Sequence, residues 1–255
     1  MIFASELDSH QHSLDTLNRL NSHYEFKISV GSVLDVGCAL ELMDLRYWAN
    51  LTDELNVNDP NKPLNINCVG LSNLDIPKPT EKNIKFKKQD FNTGHGFGEF
   101  KTQFDVVWCH DVMQYSWSPI WFLNNINQVM SDGAMLYLCV PSTVNVLYNQ
   151  FTSYTPSHCY NTFTITQILY LLALNGFEIK DFHIKKETFV DIIKAVTYKN
   201  TEPLDYNTTW YDLLEKDLLS DSMAEIVQRN GYLSNQGLIS KWLDGTVYDY
   251  RYESR

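Results

Sequence analysis

Short, continuously apolar runs alternate with amphipathic stretches over most of the chain. SVLDVG at residues 32–37 is a compact apolar strand that ends in a glycine. The stretch LELMDLRYWANLTDEL, residues 40–55, then places Leu42, Leu45, Tyr47, Trp48 and Leu51 close to the three-and-four spacing of one helix face. NDPNKP breaks that helix. NINCVGLS (65–72) and NIKFKKQD (83–90) predict a second and a third strand, separated by a loop holding Pro77 and Pro79. The middle third repeats the rhythm with a strand in QFDVVWC (103–109), a helix in PIWFLNNINQVM (119–130), a turn at Ser131, Asp132 and Gly133, and a strand in AMLYLCVP (134–141). In FTITQILYLLALNGFEIKDF (163–182), Thr164 stands where it would cap an apolar helix and Gly176 just past that helix's end. FEIKDFHIKKETFVDIIKAVTYK (177–199) reads as two long strands joined at a polar turn near Lys186 and Glu187, an antiparallel hairpin closing the sheet.

Apolar strands alternating with helices imply an α/β architecture, a mostly parallel sheet with helices on both faces. Right-handed crossovers leave the C-terminal strand ends along one edge, where ligands of open α/β sheets bind. Those ends are Asp35 to Gly37, Leu71 and Ser72, Asp90 and Phe91, and Cys109 to Asp111. Three segments follow from the pattern. Residues 1–29 form a polar helical extension with a partial stripe of Leu14, Leu17 and Leu20, and residues 30–200 form the α/β domain. Residues 201–255 form a helical cap with a strand-like tail. There, Thr208 or Thr209 caps a helix carrying Asp212 in its first turn and an apolar stripe of Trp210, Leu213, Leu214 and Leu218, with a stop at Gly231. SNQGLISKWLDG (234–245) reads as a shorter helix, and TVYDYRYE (246–253) alternates Tyr248, Tyr250 and Tyr252 with charges.

Composition narrows the function. A hydrophobic fraction of 44% over 255 residues is ordinary for a folded chain. The net charge of −11 disfavours a grip on nucleic-acid backbones, which depends on clustered Lys and Arg releasing counterions. Lys85, Lys87 and Lys88 alternate with Phe86 as a solvated strand edge would. Of the five cysteines, Cys38, Cys68, Cys109 and Cys139 sit in apolar runs, as buried free thiols do in a reduced, cytoplasmic compartment; Cys159 leaves the number odd. No ligand spacing for a metal is evident, and His10 and His12 in SHQHS read as a solvated tract. The N-terminal residues do not resemble a signal peptide, and no apolar run reaches membrane-spanning length, so neither secretion nor membrane insertion is expected. The Asn- and Lys-rich composition suggests an AT-rich genome of viral type.

The stretch FDVVWCHDVMQYSWSPIWFLNNINQVMSDGAMLYLCVP, residues 104–141, resembles the fourth strand, following helix, acidic-Gly turn and fifth strand of class I S-adenosylmethionine-dependent methyltransferases of the small-molecule branch. FTITQILYLLALNGFEIKDF is similar to that family's later helix and its Gly-Phe entry into the sixth strand. The resemblance spans residues 30–199 and implies a Rossmann-like, seven-stranded sheet, the cofactor S-adenosylmethionine and a small-molecule or sugar acceptor. Of the family's glycine-rich first motif, Asp35, Gly37 and Cys38 match, while Ala39 and Glu41 stand where glycines are usual. A glycine there leaves space for the methionine end of the cofactor, so a side chain at these positions intrudes on it. Ser72 occupies the place of the acid that accepts from the ribose hydroxyls. It offers one neutral hydrogen bond where a carboxylate makes a charge-assisted pair. Asp75 lies three residues on. Asp90 and Phe91 match the pair beside the adenine, and Cys109 closes the fourth strand.

Methyl transfer from a sulfonium is an in-line displacement that depends on positioning and, for some acceptors, on a base. The resemblance puts His110 and Asp111 at the productive edge as candidate bases. Tyr115 stands where the family often has His, and its ring and that of Trp117 border the sulfonium, whose charge aromatic faces attract. The structural alternative makes His110 a helix cap and the aromatics core. His158 and Cys159 lie in a loop that shapes acceptor pockets in the family; as a nucleophile pair they are disfavoured, because adjacent loop residues rarely face each other. Two function classes stay open: a methyltransferase lidded by residues 203–255, and a catalytically inactive, methyltransferase-shaped module that docks on a protein partner through that segment.

Overall fold

The computed structural model describes residues 13–20, 30–38, 42–55, 66–92, 97, 100, 103–142, 160–187, 192–234 and 238–250. Its strands are β1 (Ser32–Val36), β2 (Asn67–Ser72), β3 (Ile84–Lys88), β4 (Phe104–His110), β5 (Met130–Pro141), β6 (His183–Glu187), β7 (Ile192–Tyr198), β8 (Ile239–Lys241) and β9 (Val247–Asp249). They form one sheet in the order β3-β2-β1-β4-β5-β7-β6-β8-β9. The strands from β3 to β5 are parallel; β7 enters antiparallel between β5 and β6. Among the described residues the sheet has nine strands where seven were expected. The two additional ones come from residues 239–249, of which SNQGLISKWLDG was expected to be helical. In that segment Leu238, Ser240 and Trp242 are buried while Ile239 is exposed. This is a period of two, and the Ser240 hydroxyl donates to Ile184 O at 2.6 Å, fastening the new edge to β6.

Helices cover both faces. Residues 13–20 (α1) and α2 (Met43–Leu55) lie over one face, where Leu17, Leu20, Leu45 and Trp48 pack on Val33, Trp108, Tyr137 and Trp242. Over the other lie α3 (Pro119–Val129), α4 (Ile165–Leu174), α5 (Trp210–Glu215) and α6 (Asp221–Asn230), packed on Leu34, Val107, Leu136 and Ala195. The single helix expected up to Gly231 is therefore two, α5 and α6. The chain turns between them at Asp217, whose φ of 56° lies in the left-handed region. Leu213, Leu219, Met223, Ile226 and Val227 of this part are buried in the same core as α3 and α4. Each such apolar side chain contributes roughly 1.5–3 kcal/mol of burial.

Local chemistry sets the ends of these elements. Thr164 and Gln167 make a reciprocal capping box at the start of α4, and Thr209 with Asp212 does the same for α5. After α4, Gly176 has φ 78°, and a Cβ there would lie 2.2 Å from Thr201 O, so only glycine lets the chain pass so close. No helix among the described residues is long and apolar enough to cross a membrane.

Candidate active site

β1 pairs with β2 on one side and β4 on the other, so the strand order reverses at its C-terminal end. The C-terminal end of the strand at such a reversal is the place where ligands bind in folds of this kind. Asp35 is 4% exposed on β1, and burial together with the neighbouring Asp44 raises its carboxyl well above the usual range. Asp44 Oδ1 is itself buried, with no hydrogen-bond partner among the described residues. Gly37 turns the chain with φ 82°, and a Cβ there would meet Val112 Cγ2 at 1.9 Å. The amides of Gly37 and Cys38 both donate to Leu71 O, at 2.7 and 3.3 Å. These two donors are used by the sheet. Cys38 lies against Gly70 of β2, where a Cβ would meet its Sγ at 2.7 Å, and burial holds its thiol well above the ordinary value. Ala39 and Glu41 lie outside the described residues.

Ser72 ends β2 almost fully buried, and its Oγ accepts from Leu74 N at 3.3 Å, closing a local turn. Asp75 is held outward by Lys88 Nζ at 2.6 Å, with its side chain 89% exposed. At the end of β3, Asp90 is exposed and accepts from Asn92 N at 2.8 Å, while Phe91 is buried edge-on against Phe122. Asn92 joins two loops. Its Nδ2 donates to Tyr115 O at 2.8 Å and its Oδ1 accepts from Trp117 N at 2.9 Å, tying the β3 exit to the loop after β4. Tyr115 is half-buried and Trp117 is 71% exposed. From the far side, the amides of Tyr160 and Asn161 donate to Gln114 O.

Cys109 is buried beside Val36 in the β1/β4 register, with its thiol raised by burial. His110 ends β4 and Asp111 follows it. The His110 side chain is 6% exposed, stacks on the ring of Tyr137, and its Nδ1 lies 2.9 Å from Tyr137 Oη. Tyr137 in turn stacks on Trp108 at 3.7 Å, and Trp108 Nε1 donates to Ser13 Oγ of α1 at 3.0 Å. Asp111 is 30% exposed at its side chain and holds φ 55°; its amide donates to Cys139 O. Its carboxylate reaches 3.8 Å from His110 Nε2 and 3.9 Å from Cys139 Sγ.

The register carries this polar row further. His110 is paired with Cys139, Cys139 with Lys194, and Lys194 with Lys185, all on one face. The two lysines share Glu187 Oε1 at 2.9 and 2.6 Å. Burial alone would raise the Glu187 carboxyl, but Lys194 and Lys185 together bring it down to about 2. Lys185 also lies over the Trp242 ring, 4.8 Å from its centroid. The structure places Asp35, Gly37 and Cys38 at the C-terminal end of β1, Cys109, His110 and Asp111 at that of β4, Ser72 at the end of β2, and Asp90 and Phe91 just beyond β3. Sequence reasoning did not find Asn92, Tyr137, Lys185, Glu187 or Lys194, because strand register is not written in any one segment. His10, His12, His158 and Cys159 lie outside the described residues.

No family model and no curated protein matches the sequence. The fold is similar to a chain of the complex between the Haloferax volcanii Trm112 methyltransferase activator and a candidate methyltransferase (13% identity, 77% of this chain and 94% of that one, TM-score 0.53). It is similar also to the 1,6-didemethyltoxoflavin-N1-methyltransferase of Burkholderia thailandensis, solved with 1,6-didemethyltoxoflavin and S-adenosylhomocysteine (11% identity, 78% and 79%, TM-score 0.51). A third likeness is the CurJ carbon methyltransferase (14% identity, 74% and 54%, TM-score 0.50). At these identities the likeness speaks to architecture, and with the strand order and the antiparallel β7 it establishes that the chain has the class I methyltransferase fold.

Proposed function

We propose that the protein is an S-adenosylmethionine-dependent methyltransferase acting on a small-molecule or sugar acceptor. One observation carries the reading: the strand order reverses at β1, and the residues meeting at that reversal are Gly37 of the β1 turn and Cys109, His110 and Asp111 of β4. The groups at the strand ends fit the adenosine half of the cofactor. Asp90 and Phe91 would flank the base, and Ser72 keeps its O–H to donate toward the ribose while its oxygen serves Leu74 N. Asp35, Gly37, Cys38 and Cys109 would back the turn. When bound, the cofactor supplies an electrophilic methyl group on a sulfonium. Asp111, the more exposed of the two candidate bases, would take the acceptor's proton. His110, held by Tyr137, would orient that carboxylate, with Tyr115 and Trp117 at the rim.

The alternative is a methyltransferase-shaped binding module without the cofactor. It is favoured by the outward Asp75, by Ser72 in the acid's place, and by Tyr206, Tyr211 and Tyr232, which are 76%, 50% and 59% exposed on the C-terminal part and would face a protein partner. Calorimetric titration with S-adenosylmethionine and S-adenosylhomocysteine separates the two. Micromolar binding of either is the expected result. Absence of both heat and thermal shift at millimolar ligand would overturn the enzyme reading, since a ligand that binds the native state must stabilise it.

A further inference from the structure

We propose that His110, Asp111 and Cys139 form a site for one divalent cation of the zinc class. Among the described residues they make the one grouping of three or more His, Cys, Asp or Glu donors close enough to hold an ion, with all donor atoms within 4.8 Å of one another. The backbone creates this convergence. His110 and Cys139 are register partners on parallel strands and so project from the same face. Asp111, turned by its φ of 55° with its amide on Cys139 O, brings its carboxylate between the imidazole and the thiol. Its two oxygens lie 3.8 Å from His110 Nε2 and 3.9 Å from Cys139 Sγ. The edges of a tetrahedron built on zinc bonds to N, O and S are about 3.3–3.6 Å. With one donor atom from each residue the three lie within 4.8 Å of one another, so an ion has to draw them together by on the order of 1 Å.

The donor set decides the metal class. Magnesium and calcium take oxygen ligands, whereas one nitrogen, one oxygen and one sulfur suit zinc or a neighbouring transition ion. A partner for the ring's other nitrogen is the usual companion of a ligating histidine, and Tyr137 Oη sits 2.9 Å from His110 Nδ1, which directs Nε2 toward the other two donors. Stacking of Tyr137 on Trp108 holds that partner in place. Three protein ligands leave a fourth position for water or an acceptor heteroatom, the arrangement of catalytic rather than structural zinc sites. Binding replaces the Cys139 S–H bond with a sulfur–metal bond and releases the proton to solvent, with no change of oxidation state. The proposal does not depend on methyl transfer; with the ion bound the Asp111 carboxylate is a ligand, and the part of base given to it above belongs to the metal-free protein. No sequence motif announces the site, because Asp111 and Cys139 are 28 positions apart.

The test uses the 255-residue chain carrying His10→Ala and His12→Ala, so that this pair contributes nothing, stripped of metal and kept reduced. No methyl donor is present, so failure here leaves the methyltransferase reading untouched. Titration with Co2+ alone is expected to saturate at one equivalent, with a thiolate-to-metal charge-transfer band and tetrahedral visible bands, and Zn2+ should displace it. Cys139→Ser should abolish the charge-transfer band. Asp111→Asn and His110→Gln should each weaken binding by more than roughly tenfold, and Tyr137→Phe should keep the band while weakening binding by roughly tenfold. Absence of saturable binding overturns the proposal, as does a band that survives Cys139→Ser or an affinity unmoved by Asp111→Asn. Should Cys139→Ser fail to fold, the Asp111→Asn titration decides alone.

Discussion

Gly37→Ala tests whether the glycine of the β1 turn is required by the fold itself, before any ligand is considered. Two costs add. At φ 82° an alanine occupies the left-handed region, at about 1–2 kcal/mol. Its Cβ would also lie 1.9 Å from Val112 Cγ2, and relieving such an overlap in a packed core costs about 1–3 kcal/mol. The expected loss is thus about 2–5 kcal/mol, read as a lower urea midpoint at unchanged m-value. Val112→Ala alone removes two methyl groups from a residue only 4% exposed, about 2 kcal/mol. Combining the two removes the overlap but leaves the backbone cost. The double variant should therefore be more stable than the sum of the singles by about 1–3 kcal/mol. A Gly37→Ala loss within about 0.5 kcal/mol of wild type, the range of ordinary surface changes, would refute the reasoning, as would strict additivity.

Asn92→Ala should cost about 1–3 kcal/mol by removing the two hydrogen bonds that tie the β3 exit to the loop after β4. Hydrogen exchange at the Trp117 amide should accelerate, and unchanged exchange there would contradict the clamp. Glu187→Gln removes the carboxylate shared by two buried lysines and should destabilise by about 3–5 kcal/mol at neutral pH in chemical denaturation. Because the Glu187 carboxyl is lowered to about 2 when folded, its stabilisation is complete above the unfolded value of about 4.3 and is lost as pH falls toward the folded value. The wild-type stability profile should accordingly fall in that window, and that limb should flatten in Glu187→Gln; an identical acid limb would exclude the pair as its source.

Elements whose cause is local were legible before the structure. Thr164 and Gly176 bound α4, and both positions follow from side-chain capping and a left-handed turn, chemistry contained in a few consecutive residues. The apolar runs of β1, β4 and β5 are buried on both faces and so carry no alternation to confuse them with surface strands. Where sequence reasoning erred, the deciding partner was remote. The segment around Leu238 and Trp242 fits a helix face, yet it is a strand because the outer edge of β6 offers it hydrogen bonds. The stretch from Trp210 to Asn230 carries one apolar stripe, yet it bends at Asp217 so that Leu213 and Met223 reach the same core from separate helices.

The sequence by itself determined the alternation of strands and helices, the sheet edge formed by the C-terminal strand ends, and the presence of Asp35, Gly37, His110 and Asp111 on it, since period and strand direction are properties of the local chain. Only the tertiary structure decided which side chains meet there. Register set His110 beside Cys139 and Cys139 beside Lys194. Tight packing set Gly37 against Val112, a local hydrogen bond closed Ser72 onto its own turn, and Lys88 holds Asp75 out in solvent. The physical reason is that a hydrogen bond or an ion pair acts over a few ångströms of space, whatever the separation along the chain, and only the folded sheet converts one distance into the other.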